Sequence, residues 1–201
     1  MSSKAVFATL QHVDATLEAA GVDRAVIGGL ALAAWKHPRA TQDVDLLIDV
    51  VPRKVNELLR HLRQAGFRTR HNPPISRVGE HEFIQLLYEP PDTYVDLHVD
   101  LLLVRSDFQF DAIQRRCVKH LPTLSGQYDV LTCEDIVILK LLGGRLIDRA
   151  DGATLLRLNR DTIDVDYLVS RIHTLRLTSG FAEIWDEAFP GERAPVHYDE
   201  E

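Results

Sequence analysis

The chain has 201 residues, 45% of them hydrophobic and 26% charged, with a formal net charge of −7. That size suits one α/β domain, or one carrying a small helical extension, and buries enough surface to fold without staples. The acidic balance argues against a protein that coats nucleic acid non-specifically, but not against one that handles a nucleic-acid end at a local basic patch. No apolar run approaches the roughly 20 residues that a membrane span needs. The start, Met1-Ser2-Ser3-Lys4, leads into an amphipathic segment rather than a signal peptide, so the expected location is the cytoplasm. Cys117 and Cys133 lie apart with no metal-type spacing and read as reduced thiols packed as small hydrophobes.

Val6, Leu10, Val13 and Leu17 recur at helical spacing, which predicts an amphipathic helix over the first twenty residues, ending at Gly21. Arg24 to Gly28 is a short apolar strand that runs into Gly28-Gly29, and Leu30–Trp35 reads as a short buried helix closed by Pro38. Asp43–Val50 is a strand whose Leu46-Leu47-Ile48 stretch implies burial on both faces. Val55, Leu58, Leu59 and Leu62 give one face of a helix opened by Pro52 and closed by Gly66. Phe67–Arg70 is a short strand, and 71–80, with Pro73-Pro74 and Gly79, reads as a loop. Glu82–Tyr88 and Tyr94–Val104 form two strands, an antiparallel hairpin joined at Pro90-Pro91. Phe108–Arg116 is helical, and Val118–Leu131 is turn-rich with short extended pieces. Thr132 with Asp135 starts a helix running to about Leu146, with further helices near 150–158, 164–174 and 179–188 and a polar, frayed tail from Pro190. A strand-rich half followed by a helical half predicts an α+β fold, a mixed sheet flanked by helices with a C-terminal helical extension. The expected division is an α+β core over 1–131 and a helical extension over 132–201.

Chemistry concentrates between residues 28 and 45. Two glycines after a strand let the backbone approach a ligand closely, and the helix that follows attracts phosphate at its N-terminus. Asp43 and Asp45, two apart on a strand, point to the same face. Two carboxylates in an apolar strand repel and are costly to desolvate unless a cation stands between them. On Tyr94–Val104, Asp96, His98 and Asp100 share one face while Val95, Leu97, Val99 and Leu101 share the other. If this strand lies beside the Asp43 strand, one of its aspartates completes a three-carboxylate cluster suited to Mg²⁺. Lys140 is the lone charge in the apolar run Ile136–Gly144, so it must snorkel out or meet an anion. Arg145 and Asp148 stand at i, i+3 and can pair on a helix surface, and Asp151 is a weaker candidate of the same kind. Arg39 and Thr41 fit either a loop-to-strand cap or contacts to a bound ligand. Asp164, in a second Asp-x-Asp, reads as a helix N-cap.

Taken together, Gly28-Gly29, Arg39-x-Thr41-x-Asp43-x-Asp45 and the Val99-Asp100-Leu-Leu strand resemble the nucleotidyltransferase superfamily built on the DNA polymerase β catalytic fold. The likeness is to its compact bacterial branch of toxin-type and abortive-infection enzymes. It continues in Glu134-Asp135 to Lys140 and Arg145, then Asp148 and Asp151, and spans about residues 25–155. The resemblance implies that Gly28 and Gly29 cradle a triphosphate and that Asp43 and Asp45 are metal ligands for Mg²⁺ or Mn²⁺. It implies that Asp100, with Asp96 as the alternative, is the third ligand and activates the acceptor hydroxyl. Arg39, Thr41 and Lys140 would contact the NTP. The family pattern offers one aspartate on this strand, whereas this chain has two, with His98 between them.

The expected activity is metal-dependent transfer of a nucleoside monophosphate from an NTP to an acceptor hydroxyl on a tRNA end, a protein or a small molecule. A cognate antitoxin is the partner that the branch implies. The competing class is a non-catalytic nucleotidyltransferase-like module that binds a nucleotide or a partner; retention of every carboxylate argues against it. A metal-dependent phosphohydrolase would want histidine-rich ligation, for which only His98 is placed.

Overall fold

The computed structural model describes residues 3–91, 93–121 and 126–196. By its internal contacts the chain divides into two units, Met1–Ala31 with Arg39–Leu131, and Leu32–Pro38 with Thr132–Glu201. The second unit thus takes residues 32–38 from within the first, which a single cut after 131 does not foresee.

The first unit is built on a mixed sheet. Its strands are β1 (Asp23–Val26), β2 (Asp43–Asp49), β3 (Arg68–Thr69), β4 (Ile75–Val78), β5 (His81–Tyr88), β6 (Leu97–Leu103), β7 (Cys117–Lys119) and β8 (Tyr128–Val130). They run in the order β3-β5-β6-β2-β1-β8-β7, with β4 also pairing β5. β5 and β6 are antiparallel, as the Pro90-Pro91 connection predicts, while β6 runs parallel to β2. One difference from expectation is β4, which lies inside the predicted loop over 71–80. Pro73-Pro74 and Gly79 are turn signals, but Ile75 to Val78 between them forms a ladder with β5, and Gly79 (φ +58°) supplies the hairpin turn.

Alternation along the central strands gives the sheet two unlike faces. Val44, Leu46, Ile48, Ile84, Leu86, Val99, Leu101 and Leu103 are at most 1% exposed and form one face of the core. Each such side chain contributes about 1.5–3 kcal/mol on burial. Leu47 and Leu102, on the other face, are buried as well, which is why β2 reads as apolar on both sides beyond its first residues. Helices α1 (Ser3–Ala19) and α4 (Asp107–Gln114) pack on β1 and β2, and α3 (Val55–Gln64) packs on α1. Ser106 opens α4 with a reciprocal capping box to Gln109. Helix α2 (Gly28–Ala34) follows β1 directly.

The second unit is helical: α5 (Cys133–Gly143), α6 (Leu146–Leu158), α7 (Val165–Thr174) and α8 (Thr178–Ala188). Thr132 caps α5 by accepting from Asp135 N, and Gly144 ends it in the left-handed conformation (φ +67°). Asp164 caps α7 by accepting from Tyr167 N. Residues 32–38 are tied to α6 and its end, because Asn159 Nδ2 donates to Trp35 O at 2.9 Å and His37 Nε2 lies 3.1 Å from Asp151 Oδ1. The frayed tail expected from Pro190 does not hold as far as Val196. Glu192 pairs with Arg160 at 2.7 Å, and Val196 is only 3% exposed. None of the described helices is long and apolar enough to cross a membrane.

Candidate active site

The parallel register of β2 and β6 places Asp45 directly beside Asp100 and Asp43 beside His98. Residues in register share a face, and neighbouring strands lie about 4.8 Å apart. Gln85 of β5 stands opposite Asp100 in the antiparallel pair, so Gln85, Asp100 and Asp45 form one row across three strands. Asp96 precedes the first residue of β6, outside the ladder, and its carboxylate is engaged by Arg68. The register therefore brings Asp100, rather than Asp96, beside the Asp43–Asp45 pair.

Two glycines shape the rim of this row. Gly28 has φ +60°, and a Cβ built on it would lie 2.0 Å from Asp45 Oδ2. A Cβ on Gly29 would lie 2.7 Å from Thr41 Cβ. Bare backbone at both positions is thus a steric requirement: it lets the turn after β1 close onto the start of β2, where Ile27 N also donates to Asp45 O at 3.0 Å. Thr41 Oγ1 donates to Asp43 O at 3.2 Å and so fixes the entry to β2, while Arg39 is exposed on the loop ahead of it.

Gly28→Ala is expected to fail for two reasons at once. The left-handed backbone alone costs about 1–2 kcal/mol, and the methyl group would displace the Asp45 carboxylate. Gly21 is the control: it has φ +65° but nothing within 4 Å of its built Cβ. Gly21→Ala should show only the backbone penalty in thermal unfolding, whereas Gly28→Ala should unfold at a still lower temperature. Equal shifts for the two would show that the contact with Asp45 carries no weight.

Electrostatically the row is strained. Burial pushes the Asp100 carboxyl above its ordinary value, and the charge of Asp43 adds to the rise; Gln85, His98 and Arg70 act against it. His98 Nδ1 lies 3.9 Å from Asp43 Oδ1. Among the described residues no group of three His, Cys, Asp or Glu side chains converges tightly enough to form a preformed metal cluster. The donor set nevertheless fits a hard divalent cation. Carboxylate oxygens are the ligands Mg²⁺ prefers, and three like charges in adjacent positions are relieved by a positive one. A cavity of about 150 Å³, lined among others by Gly21, Asp49, Lys54, Glu57 and His61, lies at the opposite end of β2 and includes none of these carboxylates.

The second block forms its own cluster within the helical unit. Lys140 Nζ lies 2.8 Å from Asp148 Oδ1 and 2.8 Å from Asp151 Oδ2 and is 8% exposed as a residue. Arg145 Nε reaches Asp148 Oδ2 at 2.6 Å, the i, i+3 pair expected from spacing. Lys140 therefore neither snorkels nor stands as a bare cation: the anion it meets is a pair of aspartates. Gly143 packs against the same carboxylate, since a Cβ on it would come within 2.8 Å of Asp148 Oδ2. The polar side chain that sequence reasoning missed is Gln85. Its signal was available, as it is the one polar residue in Phe83-Ile84-Gln85-Leu86-Leu87.

The fold is similar to that of an antigenic nucleotidyltransferase-like protein from Paracoccidioides brasiliensis, with TM-score 0.55 and 19% identity over 90% of this chain and 93% of that one. It is also similar to the solution structure of the antibiotic-resistance factor ANT(2'')-Ia, with TM-score 0.52 and 12% identity over 93% of this chain and 99% of that one. At such identities the likeness concerns the fold. None of the curated proteins matches the chain by sequence. A family model described as the nucleotidyl transferase AbiEii toxin of type IV toxin–antitoxin systems matches residues 16–200. A match over nearly the whole chain, on the fold and the glycine–carboxylate arrangement described above, means that this protein belongs to the AbiEii nucleotidyltransferase toxin family.

Proposed function

We propose that the protein transfers a nucleoside monophosphate from an NTP to an acceptor hydroxyl and releases pyrophosphate. In the reaction an acceptor O–Pα bond forms, the bond from Pα to the β-phosphate oxygen breaks, and the hydroxyl proton must leave. The observation that carries this reading is the register of β2 and β6, which sets Asp100 beside Asp45 on the face that Gly28 closes. Asp43, Asp45 and Asp100 would hold Mg²⁺ or Mn²⁺. Such an ion, when bound, neutralises the triphosphate and acidifies the acceptor hydroxyl. Gly28 and Gly29 offer backbone without side chains for the phosphates to approach, with Arg39 and Thr41 at the same rim. Asp100 is the acceptor for the hydroxyl proton, in keeping with the rise that burial and Asp43 impose on it. Lys140 enters through Asp148 and Asp151, whose carboxylates it holds, rather than as a free phosphate ligand. The whole of 1–131 serves as catalytic core in this reading, and 132–201 as the extension that supports nucleotide binding. A tRNA end, a protein or a small molecule supplies the hydroxyl, and a cognate antitoxin restrains the activity.

The direct test is incubation with each labelled NTP, Mg²⁺ and a cell lysate, followed by identification of the labelled product. NTP binding without any transfer would move the protein to the class of nucleotide-binding modules. A second test separates the two aspartates near β6. Asp100→Asn should retain NTP binding and stop transfer, because the proton acceptor is lost. Asp96→Asn should leave most activity, since Asp96 lies outside the ladder and faces Arg68. A dead Asp96→Asn beside a live Asp100→Asn would overturn the assignment.

A further inference from the structure

Resting on that reading of Asp100, we propose that Gln85 is a positioning residue that fixes the Asp100 carboxylate, and that His71 fixes Gln85 in turn. Gln85 Nε2 donates to Asp100 Oδ1 at 3.2 Å and to Oδ2 at 3.3 Å. One amide nitrogen shared by both oxygens anchors the carboxylate while leaving each oxygen further lone pairs.

This arrangement requires the amide nitrogen, not its oxygen, to face Asp100. The two ends of an amide are alike in shape, so only the surrounding hydrogen bonds can choose between them. His71 makes that choice. Its Nε2 lies 3.0 Å from Gln85 Oε1, so a ring N–H at Nε2 donates to the amide oxygen and leaves the NH₂ group for Asp100. The main chain reinforces the relay, because Arg70 N donates to Gln85 O at 2.8 Å and holds the residue preceding His71 against β5. His71, Gln85 and Asp100 thus form a directed chain from an exposed edge to the half-buried carboxylate.

The relay answers a problem specific to this row. Asp43 repels Asp100, whose carboxylate can swing away about its Cα–Cβ bond. The uncharged amide of Gln85 restrains that swing from the β5 side. Outer-shell partners of this kind orient ligands, and their loss typically reduces metal affinity or activity about 10–100-fold.

Gln85→Met keeps the length and unbranched shape of the side chain and removes both donors. We expect kcat for pyrophosphate release to fall by about tenfold or more with KM for NTP nearly unchanged. Mn²⁺ affinity, measured without NTP from the electron paramagnetic resonance of the unbound ion, should weaken by about tenfold. His71→Phe, at an exposed position, should shift both quantities in the same direction by a smaller factor. It carries the test if Gln85→Met loses its fold by circular dichroism. In an Asp100→Asn background, Gln85→Met should have no further effect on Mn²⁺ affinity if Gln85 acts through that carboxylate. Unchanged kcat and Mn²⁺ affinity in the folded variants, with Asp100→Asn inactive, would overturn the positioning role and leave the catalytic reading standing. Normal transfer by Asp100→Asn would instead overturn the catalytic reading, and this inference with it.

Discussion

Asp43→Ala and Asp45→Asn are expected to lose nucleotide transfer by at least about a hundredfold while keeping their secondary structure. The magnitude follows from comparison with outer-shell residues, whose loss already reduces metal affinity or activity about 10–100-fold; a carboxylate that would itself hold the ion should matter no less. Asp45→Asn keeps the shape that packs against Gly28, so its loss of activity would report the charge rather than a collapsed turn. Asp43 offers the cleaner view of stability. Its side chain is 53% exposed, and its charge works against ionisation of Asp100. Removing that charge relieves repulsion, so thermal unfolding of Asp43→Ala should occur at the same temperature or slightly higher. Near-native transfer by either variant at saturating NTP and Mg²⁺ would dismiss the carboxylate site. A large drop in the unfolding temperature of Asp43→Ala would instead assign it a structural role.

What the sequence made legible here depends on how local each feature is. Asp43 and Asp45 stand out because acidic residues alternate just ahead of Leu46-Leu47-Ile48, a pattern contained within one seven-residue strand. Gly28-Gly29 is equally local. The strand carrying Asp96 and Asp100 was legible as a strand, but a two-residue period sets both aspartates on the same face, and nothing within it selects one. The selection comes from the parallel pairing of β6 with β2, a long-range contact. Gln85 escaped for the same reason, since its role exists only once β5 lies against β6. Lys140 was legible as an anomaly, the lone charge in the apolar run Ile136–Gly144, but its partners lie on the next helix, beyond the left-handed turn at Gly144. The membership of residues 32–38 in the helical unit rests on contacts to α6 and its end from far along the chain, such as Asn159 to Trp35, and no local pattern announces them. β4 was lost because strong turn residues on both sides masked four residues that pair only when β5 is present.

Lys140→Met should destabilise the protein by about 3 kcal/mol at neutral pH. Breaking a buried ion pair by removing one partner leaves an uncompensated charge and costs about 3–5 kcal/mol. The low end applies because Arg145 still reaches Asp148 and His37 still reaches Asp151. For a chain of this size that corresponds to a fall in unfolding temperature of roughly 6–12 °C. The deficit should depend on pH in a definite direction. Burial tends to raise the carboxyl of Asp148, but hydrogen bonds from Arg145 and Lys140, with their charges, outweigh it and hold the group below its ordinary value. A carboxylate held low in the folded state contributes stability above its unfolded pKa and loses it as pH falls through the folded one. The gap between the native protein and Lys140→Met should therefore be full near neutrality and narrow as the solution is acidified through the carboxylate range, where a protonated Asp148 no longer needs the ammonium. Adding Asp148→Asn to Lys140→Met should recover part of the loss at neutral pH, because the stranded charge is then gone. A Lys140→Met protein as stable as the native one, or a deficit that does not change between neutral and acidic pH, would show that the buried pair does not hold α5 to α6.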